Sequence, residues 1–215
     1  MRIGVLGTGG VGQTLGGRLV EGGHDVRLGA RSATNEKARD WARAAGARAS
    51  HGTFAEAAQF GEVVLNCTAG TGSLEALEAA GAANLAGKIL IDVANPLDFS
   101  RGMPPTLTVC NTDSLGEQIQ RAFPGTRVVK ALNTVNAAVM ANSAHVPGDH
   151  DLFICGNDAD ARRAVVGWMR EWFGWRIIHD LGDISAARGM EMILPIWIRL
   201  MLTLGTPSFN FHIQR

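Results

Sequence analysis

Gly7-Thr8-Gly9-Gly10-Val11-Gly12 is the stretch that decides the fold. Glycines spaced GxGxxG are a weak signal alone. Here the apolar run Arg2–Leu6 precedes them and a helical pattern, Val11–Glu21, follows. That strand–turn–helix setting is the one in which such glycines cradle phosphate. Gly7 allows the tight turn, Gly9 lets backbone approach a pyrophosphate, and Gly12 lets the helix pack close to the strand. The phosphates would rest on free N–H groups at the helix start, favoured by its dipole. The sequence therefore predicts a dinucleotide site on Gly7, Thr8, Gly9, Gly10, Val11 and Gly12.

Outward from this loop, strand and helix patterns alternate, which predicts a parallel sheet covered by helices. Strands are expected at Asp25–Leu28, Arg48–Ser50, Glu62–Cys67, Lys88–Asp92, Thr126–Ala131, Asp151–Cys155 and Trp175–His179. Helices are expected at Thr34–Ala45, Thr53–Gln59, Ser73–Ala80, Ser114–Ala122, near Val135–Ala141, and at Ala159–Trp172 behind an Asp158 cap. Asn95–Thr108, with Pro96, Pro104 and Pro105, reads mostly as loop. Ser185–Leu204 reads as one long helix kinked at Pro195. The fold class is α/β: a Rossmann doubly wound parallel sheet with a small C-terminal helical extension. Residues 1–132 form the dinucleotide-binding domain in this reading. Residues 133–215 add further strands, the acceptor site and a terminal helix. Met190–Leu204 is apolar on nearly every face, so it must be buried, in its own subunit or in a homodimer.

The second strand chooses between the two nicotinamide dinucleotides. A chain that binds NAD usually places Asp or Glu about 20 residues after the motif, for the ribose 2′-hydroxyl. This chain has Leu28-Gly29-Ala30-Arg31-Ser32 there. Arg31 can fork onto a 2′-phosphate, Ser32 can donate to it, and Lys37 stands in the next helix. The cofactor expected is NADP. Ligands of such sheets sit beyond the carboxyl ends of the strands. Cys67-Thr68-Ala69 and Asn95 are thus placed to meet the nicotinamide half.

Composition excludes other classes. The 215 residues carry 20 basic and 20 acidic side chains, so nothing suggests a nucleic-acid partner. The most apolar segment is short and interrupted by Glu191, Pro195 and Arg199, which argues against a membrane span. Met1-Arg2-Ile3 runs straight into the first strand without a leader pattern. Three cysteines (Cys67, Cys110 and Cys155) form no paired framework, which favours a reducing compartment. The expected setting is the cytoplasm. The six histidines show no metal or triad spacing, so no metal is expected.

Several segments together resemble a known family. They are Gly7–Gly12, Gly29–Ser32, Asp92-Val93-Ala94-Asn95-Pro96-Leu97, Lys130-Ala131-Leu132-Asn133-Thr134-Val135-Asn136-Ala137, Cys155-Gly156-Asn157-Asp158 and the apolar helix ending at Gly205. They are similar to the NADPH-dependent deazaflavin (F420) reductases, a resemblance that extends to the reductase domain of the STEAP metalloreductases. It implies hydride exchange between NADPH and a small-molecule redox acceptor, a deazaflavin (F420) or a flavin (FMN or FAD). By position it puts Thr8, Arg31 and Ser32 at the 2′-phosphate and Ala131 and Asn133 near the nicotinamide. Asn133, Val135 and Asn136 would meet the second ring. Two positions depart: archaeal members carry His where this chain has Asn133, and Ala30 stands where Ser is usual.

Hydride transfer between rings is carried by the cofactors, so no catalytic acid or base is named. Two rival readings share the opening motif. One is an imine or carbonyl reductase, which normally has a longer helical substrate domain. The other is a redox sensor that binds NADPH without turnover.

Overall fold

The computed structural model describes all 215 residues. Its elements run β1 (Arg2–Leu6), α1 (Gly10–Glu21), β2 (Asp25–Ala30), α2 (Glu36–Ala45), β3 (Ala49–Thr53), α3 (Phe54–Phe60), β4 (Val63–Asn66), α4 (Ser73–Ala80), α5 (Ala82–Leu85) and β5 (Ile89–Asp92). Next come β6 (Leu97–Asp98), β7 (Thr106–Leu107), α6 (Leu115–Ala122), β8 (Arg127–Ala131), α7 (Ala137–Ala141), β9 (Asp151–Cys155), α8 (Ala159–Phe173), β10 (Ile177–Asp180), α9 (Ala187–Met192) and α10 (Leu194–Leu204). Eight strands form one sheet in the order β10-β9-β8-β5-β4-β1-β2-β3. The run from β8 to β3 is parallel. The expected doubly wound order therefore holds across six strands, and its direction reverses between β1 and β4.

The sheet departs from the all-parallel expectation at one edge. β9 pairs antiparallel with β8, and β10 pairs parallel with β9. Residues 132–150 return without a long crossover helix, and a parallel pairing needs one. Both C-terminal strands thus extend the same sheet.

Central strands are buried on both faces, so they read as continuous apolar runs. In β5, Ile89 and Ile91 join the core beneath α1, α2, α7 and α8, while Leu90 joins the core beneath α3, α4, α6 and α9. The loop between β5 and α6 contains a two-stranded hairpin, Leu97–Asp98 against Thr106–Leu107, where the sequence reads as mostly loop. The last strand begins at Ile177. Gly174 takes the left-handed conformation that ends α8, and Trp175 is then fully buried in the core.

The terminal helix needs a larger correction. It is two helices that meet at Ile193, with Pro195 in the first turn of α10. Proline lacks an N–H, and the first turn is where none is needed, so the chain restarts a helix there. Burial also falls short of expectation within one chain. Leu194, Trp197 and Ile198 are buried, but Met192, Ile196, Leu202 and Leu204 are exposed. No helix is long and apolar enough to cross a membrane.

Gly4 shows how tightly the second layer is set. A Cβ there would collide with the Ala57 carbonyl of α3. Gly4→Ala is expected to destabilise the fold by about 1–3 kcal/mol, because backbone cannot step aside. A lower urea midpoint with an unchanged slope checks this.

Candidate cofactor site

The glycine loop spans the end of β1 and the start of α1, beside the switch point. Gly7 has φ +113°, and a Cβ on it would press on the Cys67 carbonyl at 2.6 Å. Gly12 is buried, and a Cβ there would strike the Gly7 carbonyl. These two glycines serve close packing. Gly9 and Gly10 differ: both are exposed, with open space where a Cβ would stand. Gly9 caps α1 with no side-chain hydrogen bond, so the first N–H groups of α1 face outward without a side-chain partner. The Thr8 carbonyl accepts from Gln13 Nε2 at 2.9 Å, which pins the turn. Such an uncapped helix start with bare glycines fits a pyrophosphate.

At the end of β2, Arg31 is exposed and its guanidinium meets Glu75 Oε2 of α4 at 3.3 Å. Ser32 Oγ shares a hydrogen bond with Thr34 Oγ1 at 2.8 Å and accepts from the Thr34 N–H. Lys37 is exposed in the first turn of α2. The acidic neighbour Glu75 was invisible to the sequence reading, because it arrives from a helix 44 residues away. The pair is more than two-thirds exposed on both sides, so it holds Arg31 weakly.

Beside the glycine loop lies a cavity of about 360 Å³. It brings together Val11, Cys67, Thr68, Ala69, Asn95 and Asn133, with Val135 and Asn136 further along. Ala131 is not brought there; its side chain is fully buried in the core of β8. The sequence reading missed the opposite wall: Leu97 and Phe99 of the hairpin, and Leu194 and Trp197 of α10. The proline-rich segment hid the hairpin, and the uniform apolarity of 190–204 hid which face turns inward. A second hollow, about 390 Å³, lies at the far edge of the sheet and holds none of the predicted residues.

Asn133 is 1 % exposed and firmly held. Its Nδ2 donates to Asn95 Oδ1 and to the Met190 carbonyl, both at 2.9 Å. Asn95 Nδ2 donates in return to the Asn133 carbonyl at 2.8 Å. Asn133 Oδ1 is buried without a partner, and so is the indole Nε1 of Trp197. Leu132, just before, has φ +63°, a conformation an L side chain rarely takes. It turns the chain off β8 so that Asn133 faces Asn95. Asn136 caps α7 through Oδ1 and donates its amide to the Pro207 carbonyl, which ties the C-terminal tail to the rim. Phe209 of that tail stacks on Trp197 at 5.2 Å.

Under these loops lies a buried polar cluster; Asp92 and Lys130 open two of the segments quoted above, but nothing in the sequence pairs them with each other or with Glu191. Lys130 Nζ sits 2.8 Å from Asp92 Oδ2 and 2.8 Å from Glu191 Oε1, and it also donates to the Ala94 carbonyl. Asp92 further accepts from Asn66 Nδ2 at 2.8 Å and from the Ala94 N–H. Glu191 accepts the N–H groups of Leu115 and Gly116 at the start of α6. Burial works against a charged Lys130, but the Asp92 and Glu191 carboxylates outweigh it and hold the ammonium above the ordinary lysine range. Asn66 continues the chain to Thr68 Oγ1 at 2.7 Å, and Thr68 meets Ser73 Oγ at 2.8 Å.

Of the three thiols, Cys67 and Cys155 are buried and Cys110 is exposed. Burial, helped by the Asp92 charge, drives the Cys67 thiol far above its usual value, and burial lifts Cys155 to about 12. Neither is a thiolate near neutral pH. One equivalent of a thiol reagent is expected to react with the folded protein, at Cys110, and three in denaturant. Rapid labelling of Cys67 in the folded state would contradict this.

The profile of the NADP oxidoreductase family, coenzyme F420-dependent, matches residues 2–96. The F420-dependent NADP reductase of Methanocaldococcus jannaschii is 33% identical over 117 residues, 54% of this chain and 52% of that one. Metalloreductase STEAP3 of Rattus norvegicus is 31% identical over 211 residues, 95% of this chain and 39% of that one. The chain thus spans about half or less of the curated relatives it matches. A crystal structure of a candidate F420-dependent NADP reductase from Arthrobacter sp. FB24 superposes with a TM-score of 0.94 at 50% identity, over 99% of both chains. With likeness of that extent along its whole length, this chain belongs to the family of coenzyme F420-dependent NADP oxidoreductases.

Proposed function

We propose that this chain passes hydride between NADPH and a deazaflavin or flavin ring held in the 360 Å³ cavity. One observation carries the reading. The cavity joins the glycine loop to an apolar wall, and two of its lining residues, Asn133 and Trp197, each carry a buried polar atom, Oδ1 and Nε1, that lacks a partner. A buried polar group left unpaired is costly, so it marks a place where a ligand completes the hydrogen bonding.

The first N–H groups of α1 would take the pyrophosphate. Arg31 would release Glu75 and fork onto the 2′-phosphate, with Ser32 and Lys37 beside it. Asn133 has both amide hydrogens committed, so its free oxygen is set to accept from a carboxamide. Cys67, Thr68 and Ala69 form one wall for the nicotinamide. Phe99, Leu194 and Trp197 form the facing wall, where a flat second ring would stack and offer a carbonyl to the indole N–H. NADPH, when bound, supplies the hydride; the protein supplies an approach of about 3–3.5 Å and a dry setting. No side chain need move a proton at the reacting carbons. The exposed apolar side chains of α10, Ile196, Leu202 and Leu204, suit a second copy of the chain, and Ile196→Glu is then expected to leave a monomer in ultracentrifugation.

Arg31→Ala should weaken NADPH binding roughly 10- to 100-fold and leave NADH binding nearly unchanged, measured by calorimetry. Glu75→Gln frees the guanidinium and should tighten NADPH several-fold. Equal affinity for NADH and NADPH in the parent protein would refute the 2′-phosphate assignment. For the acceptor, the protein with NADP is titrated with F420, FMN and FAD while their visible spectra are followed. Saturable shifts with one of these rings, and turnover of NADPH with it, are expected. No shift with any ring would refute the acceptor assignment and leave the NADP assignment standing.

A further inference from the structure

The charge of the Asp92–Lys130–Glu191 cluster does not cancel. Every group that touches the two carboxylates is a donor. Asp92 receives Lys130 Nζ, Asn66 Nδ2 and the Ala94 N–H. Glu191 receives Lys130 Nζ and the Leu115 and Gly116 N–H groups. A protonated carboxyl would need an acceptor, and none is present, so both are carboxylates. Lys130 is itself surrounded by three oxygens and is therefore an ammonium. Two negative charges and one positive charge leave one net negative charge, all of it buried: Asp92 and Lys130 are 0 % exposed and Glu191 is 1 %.

That charge lies directly under the cavity. Asp92 precedes the lining residues Val93, Ala94 and Asn95, and Lys130 is three residues before Asn133. Glu191 follows Met190, whose carbonyl holds the Asn133 amide at 2.9 Å. Lys130 Nζ donates to the carbonyl of the lining residue Ala94, Asp92 Oδ1 accepts the Ala94 N–H at 3.3 Å, and Glu191 Oε1 lies 2.8 Å from Lys130 Nζ, so all three charges stand against the lining. Burial, and after it the Asp92 charge, displaces the thiol of the lining residue Cys67 upward. The N-terminal N–H groups of α6 stabilise Glu191 and carry only partial charge, so they do not cancel it.

We infer that this cluster poises the site electrostatically, stabilising the oxidised nicotinamide over the reduced one and so favouring hydride donation from NADPH. The inference rests on the nicotinamide lying in this cavity, as proposed above. When the C–H bond at the reacting carbon breaks, the hydride, a proton with two electrons, forms a new bond to the acceptor ring, at carbon in a deazaflavin or at nitrogen in a flavin; the acceptor takes up the negative charge, or a proton from water, and the nicotinamide passes from neutral to cationic. A fixed negative charge beneath it in a water-poor setting is attracted to that cation and indifferent to the neutral ring. Sequence gives no hint of this, because Asp92, Lys130 and Glu191 lie 38 and 61 residues apart along the chain.

The test compares dissociation constants for NADP⁺ and NADPH in the full chain, by calorimetry. In Glu191→Gln and in Asp92→Asn the net charge becomes zero. The ratio of the NADP⁺ constant to the NADPH constant should rise roughly three- to twentyfold in each. Glu191→Asp keeps the charge while disturbing the geometry, and its ratio should stay at the parent value. General damage weakens both forms together and leaves the ratio still. A ratio within twofold of the parent in a folded charge-removed variant that binds both forms would overturn the inference alone. Failure of the parent to bind either form would overturn the cavity assignment and this inference with it.

Discussion

Lys130 is the point from which this structure is held. Its ammonium, at the end of β8, draws in Asp92 from β5 and Glu191 from α9. Glu191 then receives the first N–H groups of α6. One side chain thereby fastens two central strands, the helix beneath them and the helix that leads into the C-terminal segment. A buried ion pair gains little over a well-packed apolar one, but loss of a single partner strands a charge and costs several kcal/mol. The cluster is therefore a strict specification of how α9 sits on the sheet.

That seating decides the shape of the cavity. Met190, next to Glu191, presents the carbonyl that fixes the Asn133 amide. Three residues on, the chain enters α10, whose Leu194 and Trp197 close the cavity opposite the glycine loop. The strained Leu132 completes the arrangement by turning Asn133 toward Asn95. Both halves of the chain thus meet at one place, and a shift of α9 would move the amide and the apolar wall together. In the proposed function, two rings are held at a fixed separation, and that depends on such rigid support.

The glycine loop and the strand pattern were legible because they obey local rules. Gly7 needs a positive φ, Gly12 needs the absence of a Cβ, and strands buried on both faces must be apolar throughout. Asp158 capping α8 is equally local. The errors arose where a non-local contact outweighed local pattern. Residues 190–204 look uniformly apolar, yet only one face is buried, and Pro195 starts a helix where a kink in a single helix was expected. Ala131 belongs to a motif near the site, but its side chain packs into the core among residues distant along the chain and not into the cavity. The hairpin within 97–107 pairs only two residues on each side, too short for any periodicity to show.

By itself the sequence determined the α/β class, the glycine turn between β1 and α1 and a cation in place of the usual acid after β2, since backbone sterics and charge type act over a few neighbouring residues. The antiparallel edge, the Glu75 partner of Arg31, the wall of α10 and the buried Asp92–Lys130–Glu191 cluster were decided only by tertiary structure. Each of these joins groups from 38 to more than 180 positions apart or depends on how one strand returns to the sheet. No spacing rule reaches that far, because such contacts follow from which faces the packed sheet and helices bring together.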